Sequence, residues 1–259
     1  MVVECLGESS EKLEVVGSET LSHLIKIGRV VRLLGGLGII GVLVALAMDI
    51  IAMMLRPNYN PFIDSVSSLA IGPMGWIQDI SFYSFSLGVM GLALGIYYGL
   101  GGTQKVKFSA WFLSAVGLGF IIVALFHADP RGEPRTIAGL IHGISTFSAV
   151  AFFVVACLLI GLGLRKEHRN LSVYTVLVAV AAMLVFVGDR LPSQWVWVGL
   201  RERIGGANAV VWVIVMCLTL MRGQTKNRAQ PQKKEAARLE CSTETLSQKS
   251  ETEDVLRER

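Results

Sequence analysis

Six stretches of the chain are apolar on every face, at about 33–55, 76–99, 108–128, 136–164, 171–191 and 207–221, and polar or Gly/Pro-containing segments separate them. A hydrocarbon core about 30 Å thick is crossed by roughly 20 helical residues, so the pattern predicts six membrane-spanning helices. The last run is the shortest, and the fourth is long enough to tilt or to project from the bilayer. The fold class is therefore all-α: a polytopic membrane protein built as a six-transmembrane-helix bundle over residues 33–221. Ahead of it, Leu21, Leu24, Ile25 and Ile27 recur at helical spacing beside Lys26, Arg29 and Arg32. Residues 1–32 thus read as an N-terminal segment with an interfacial amphipathic helix, or with a continuation of the first span. The first 30 residues carry five Glu and no apolar run, unlike a cleaved signal or a transit peptide. Residues 222–259 are too polar to bury a core and predict a disordered tail.

Composition narrows the class further. Hydrophobic residues make up 53% of the 259 and charged residues 17%, with a mean hydropathy of +0.56, which excludes a disordered chain and a water-soluble globule. The net charge is +4, and the tail after Met221 supplies half of it, with nine Lys and Arg against seven Asp and Glu. No basic stripe interleaved with aromatics occurs, so no nucleic-acid partner is expected. The four cysteines form neither a disulfide framework nor a metal knuckle.

Charge also predicts orientation, because Lys and Arg accumulate on the cytoplasmic side. One side holds Lys26, Arg29, Arg32, Lys105, Lys107, Arg165, Lys166, Arg169 and six more in 222–238, fourteen in all; the other holds six, Arg56, Arg131, Arg135, Arg190, Arg201 and Arg203. Both termini are expected in the cytoplasm of a cell, with the protein in its plasma membrane. Small residues then supply packing: Gly35, Gly38 and Gly41, Gly91, Gly95 and Gly99, and Gly139 and Gly143 mark faces that let backbones approach. Such faces serve helix contacts within one chain, or a homo-oligomer.

Nearly every unusual polar residue falls on the expected outer side. The connection after the first span reads RPNYNPFIDSVSSLAIGPMGW, where Pro and Asn favour turns and Asp64 reads as the cap of a short helix. Such a segment can re-enter the membrane edge where protein or water satisfies its backbone. The third span ends in FHADPRGEPRT, and the fourth places Thr136, Gly139, His142, Ser145 and Thr146 along one face. His142 lies about 9 Å of helix rise below Thr136. An imidazole at that depth faces the bundle interior or a wet cavity, as does Asp49, for which Arg190 and Arg203 are the candidate partners.

These residues support three readings. Ser67 or Ser68 with Asp129 and His142 supplies a hydroxyl, a carboxylate and a base, the parts of an intramembrane hydrolase or transferase acting on lipid head groups. No cofactor is expected, but His127, Asp129 and His142 are the alternative, a zinc-ligating set. Tyr59, Asn60, Asp49, Arg190 and Arg203 instead describe a pocket that binds or transports a small solute or lipid head group. In the third reading the same groups form a structural network: Asp129 caps the fourth helix, His142 bonds a serine, and the protein acts as a scaffold.

Several motifs recur in order along the membrane part. RPNYNPFIDSVSSLAIGPMGW, FHADP, TIAGLIH and RERIG before the final span with Trp212 resemble the family called domain of unknown function 998, whose members are multi-pass prokaryotic membrane proteins. Tyr59, Pro61, Ser67, Leu69, Asp129, Gly139 and His142 carry the resemblance, and His127 stands where such proteins more often have proline. It implies the fold and residence among membrane lipids, and no activity.

Overall fold

A computed structural model describes residues 2–100, 103–188 and 197–223, with side chains from residue 25 onward. The chain divides into two units, residues 29–221 and the remaining ends. Of the second unit, the described part is helical backbone. The first unit is the bundle.

The helices are α1 (Val2–Leu55), α2 (Gly75–Gly99), α3 (Gln104–Leu125), α4 (Ile137–Leu164), α5 (Arg169–Gly188) and α6 (Val198–Gly223), and a 3-10 turn at Val66–Ala70 interrupts the first connection. All six contain a segment long and apolar enough to cross a membrane, that of α1 being Ile25–Leu55. No strand occurs among the described residues. The protein is thus a multi-pass membrane protein in contact with lipid. Large apolar side chains such as Leu33, Met54, Ile137 and Leu184 point outward, as expected where the solvent is hydrocarbon.

Two boundaries differ from the sequence expectation. α3 stops at Leu125 because Phe126 turns extended, so the expected run to residue 128 is too long. α6 begins at Val198 instead of 207: the charged RERIG segment, read as a connection, is its first turns, with the charges directed at the connection below. The expected end of the fifth span at 191, like Arg190 and the tail from 224, lies outside the described residues.

Without a hydrophobic drive between helices in lipid, close backbone approach and polar contacts hold the bundle. Gly41 and Gly38 of α1 lie against Gly88 and Ser84 of α2, where added Cβ atoms would meet backbone. Gly35 and Gly38 also face Met221 and Cys217 of α6. Buried serines tie neighbouring helices, Ser81 to the Ala45 carbonyl at 2.8 Å and Ser86 to that of Gly117 at 2.7 Å. Trp212, wholly buried, donates to Thr175 at 3.3 Å and meets Phe153 edge-on, which brings α4, α5 and α6 together. Gly143, by contrast, faces open space.

Candidate functional site

Helix alternation puts residues 56–74 and 126–136 at one end of the bundle. The first of these connections folds inward as a plug. Leu69 packs with Ala52 and Ile77, and Ala70 with Phe82, Val123 and Ala124, so the 3-10 turn is seated among α1, α2 and α3. The Ser68 and Ile71 N–H groups bond the Ser65 and Ser68 carbonyls, and the Val66 N–H bonds Glu202, the kind of protein partner that a segment inside the bundle needs. Ser65 caps it by accepting from the Ser68 N–H, the role the sequence assigned to Asp64. Asp64 instead accepts from the Asn60 N–H at 2.8 Å, and Asn60 Oδ1 accepts from Phe62 at 3.0 Å, so both shape the preceding turn. Arg56 donates to the Ile71 carbonyl and closes the base of the loop.

α6 clamps the plug from the side. Arg203 donates through Nη1 to the carbonyls of Pro61 at 3.0 Å and Gly199 at 3.1 Å, and through Nη2 to the Tyr59 hydroxyl at 2.7 Å. Its guanidinium also lies 5.4 Å from the Tyr59 ring centroid. Tyr59 in turn donates to the carbonyl of Asp64 or Ser65. Burial pushes the Tyr59 phenol above its usual range, opposed by the Arg203 charge. Glu202 accepts from the Val66 N–H at 2.6 Å. Gly199 is required here, since a Cβ would collide with the Asp64 and Pro61 carbonyls.

His142, buried on α4, meets the plug from the opposite side. Its Nδ1 lies 2.8 Å from the Phe126 carbonyl, which only accepts, so Nδ1 carries the proton. Nε2 is then the acceptor, and Ser67 Oγ lies 3.0 Å from it. Serine and imidazole therefore form a pair, oriented by a backbone carbonyl. Asp129 is not the third member. It accepts from Thr136 through both the backbone N–H at 3.0 Å and Oγ1 at 2.6 Å, while Thr136 Oγ1 accepts from Gly139 N at 3.1 Å, a two-layer cap on α4. Gly139 leaves the room that the Asp129 carboxylate fills. The bonds from Thr136 hold the Asp129 carboxyl below its usual range.

That depression sets a sign. The unfolded carboxyl titrates near about 3.9, so the cap's contribution is complete above that pH and is lost as pH falls through the lower folded value. Amide exchange at Thr136, followed below pH 4, is expected to quicken as Asp129 takes its proton; an Asp129→Asn variant should exchange fast at every pH.

The three expected metal ligands are held apart. His127 Nε2 pairs with Asp79 Oδ1 at 2.9 Å, Asp129 caps α4, and both nitrogens of His142 are engaged. Among the described residues, no group of three or more His, Cys, Asp or Glu side chains is arranged to hold a metal ion.

Deeper in the bundle lies a contrasting cluster. Gln78 of α2 is 0% exposed, its amide oxygen has no hydrogen-bond partner among the described residues, and its nitrogen lies beside the Asp49 carboxylate. Arg203 Nε is also buried and unmet, and Asp49 lies within the field of Arg203. Gln78 and Asp79 were missed from sequence. Their signal is two adjacent polar residues at the start of an apolar run, in WIQDIS.

A family described as "Protein of unknown function (DUF998)" matches residues 39–219, the greater part of the chain. The chain belongs to that family. No curated protein matches, and no solved structure does.

Proposed function

We propose that this member of the DUF998 family binds a small polar solute or lipid head group in the bundle, beneath the 56–74 plug, at a seat made by Asp49, Gln78 and Arg203. One observation carries the reading: the Gln78 amide is wholly buried, its oxygen has no hydrogen-bond partner among the described residues, and its nitrogen lies beside the Asp49 carboxylate. A buried polar group left unmet costs on the order of 1–3 kcal/mol, and native proteins keep such groups where water, an ion or a ligand meets them. The Ser67–His142 pair, being satisfied, asks for nothing. The unmet atoms of the seat are an acceptor, Gln78 Oε1, and a donor, Arg203 Nε, set about the neighbouring Gln78 Nε2 and Asp49 carboxylate. Their complement is a neutral or zwitterionic group that both donates and accepts. The Lys and Arg excess at the other end supports both termini inside the cell, which puts the seat toward the outer side.

The test is thermal unfolding of the detergent-purified full chain against amino acids, polyols, simple amides and glycerophosphodiesters. One class is expected to raise Tm by about 5–10 °C at a hundredfold excess over its Kd. Gln78→Leu should abolish that shift. A panel without any shift, or a shift that survives in Gln78→Leu, defeats the reading.

A second reading rests on the 3.0 Å contact of Ser67 Oγ with His142 Nε2. In acyl transfer the hydroxyl proton would pass to Nε2 as Oγ attacks an ester carbonyl, and the imidazolium, held by the Phe126 carbonyl, would give it to the departing alkoxide as the ester C–O bond breaks. This reading requires Ser67 to be labelled by a fluorophosphonate, and the labelling to vanish in Ser67→Ala and in His142→Ala. Unlabelled protein sinks it.

A further inference from the structure

The opposite end of the bundle holds a groove that the solute reading does not use. It measures about 550 Å³ and lies between the end of α2, the first turns of α3 and the face of α4, lined by Tyr97, Lys105, Lys107, Phe108, Trp111 and Leu159 among others. Its lining is graded. Lys105 and Lys107 lie in the first turn of α3, both exposed and neither ion-paired among the described residues. One turn deeper the lining is aromatic and faces outward, with Trp111 66% and Phe108 58% exposed. Indole and phenyl rings just inside a pair of cations are the arrangement of a head-group boundary.

Two further features raise the positive field there. Thr103, the N-cap of α3, takes the Val106 N–H on its carbonyl but makes no side-chain bond to the first turn, so the positive end of the helix carries no side-chain cap. α4 ends alongside: a Cβ on Gly163 would meet Thr103 and Val106, which sets the exposed turn carrying Arg165 and Lys166 at the same end. We infer that this groove is a seat for one anionic phospholipid, its phosphate on Lys105 and Lys107 and an acyl chain along Phe108, Trp111 and Leu159. A free phosphate would use only the lysines and leave the apolar half of the groove idle, so lipid is the occupant the lining fits.

The experiment uses the full chain in an uncharged detergent, titrated with short-chain phosphatidylglycerol, short-chain phosphatidylcholine and glycerol phosphate. Phosphatidylglycerol is expected to raise Tm saturably, and the other two much less. The double variant Lys105→Gln/Lys107→Gln should weaken the phosphatidylglycerol response about tenfold, because each cation near an anionic surface contributes roughly one kcal/mol before screening. Lys105→Arg/Lys107→Arg, which folds with its charges intact, should retain it. An equal response to phosphatidylcholine overturns the inference, as does full stabilisation by glycerol phosphate alone or an undiminished response in the Gln variant.

Discussion

Arg203→Ala is expected to lower Tm by about 5–10 °C and to release residues 56–74 to protease. The guanidinium holds the Pro61 and Gly199 carbonyls and the Tyr59 hydroxyl at 3.1 Å or less, and covers the Tyr59 ring. Removing it leaves the buried Gly199 carbonyl and the half-buried Tyr59 hydroxyl without a charged donor, a loss of about 2–3 kcal/mol, which converts to that shift for a chain of this length. Arg203→Lys should recover only part, since an ammonium on a flexible stem cannot serve two carbonyls and a phenol as a planar fork does. A cycle with Tyr59→Phe should return a coupling above about 0.5 kcal/mol. The plug's dependence on Tyr59 also has an alkaline limit. Because burial raises the folded phenol's pKa, its contribution is complete below about pH 10 and is lost as pH climbs through the raised value. An Arg203→Ala protein that melts with the parent would mean that the clamp is incidental, and that the plug rests on Leu69 and Ala70 alone.

The second large effect is expected at the crossing of α1 and α2. Gly41→Val should cost about 3 kcal/mol or more and sharply reduce the yield of folded protein. A Cβ at Gly41 would stand 2.7 Å from Gly88 Cα, Gly88 N and the Ser84 carbonyl oxygen. All three are backbone atoms of a helix, so no side chain can swing away. The relief is to part the helices, which also breaks the bond from Ser81 to the Ala45 carbonyl. Gly143→Ala is the matched control, because nothing lies within 4 Å of its Cβ position. It should be neutral or slightly stabilising, as alanine favours a helix interior over glycine. Unfolding in detergent, measured on both, separates a packing requirement from a general aversion to larger residues. Equal stability of Gly41→Val and the parent would show that this crossing is loose.

The two glycines look alike in sequence, each lying on a face of regularly spaced small residues. Only the neighbour across the interface distinguishes them. Asp129, Ser67 and His142 raise the same point: their types and outer-side positions are legible as a possible acid, hydroxyl and base, but the spacing that suggested one constellation is satisfied in two separate places. Asp129 is seven residues from Thr136 and closes a local cap, the shortest route to satisfying a helix start. Ser67 reaches His142 across 75 residues, through a plug whose depth no local pattern encodes.

Sequence alone determined the six spans and the placing of polar groups at one end, because apolar length and charge asymmetry answer directly to the bilayer, and the family, through motifs that stand in order along the membrane part. Tertiary structure decided which polar groups meet and which are left unmet. Arg203 turned out to hold the plug because α6 starts early enough to carry it, and Gln78 came to light as a wholly buried amide beside Asp49. A hydrogen bond between distant segments depends on how helices are set side by side, and that information is distributed over every contact in the bundle rather than written near the residues that use it.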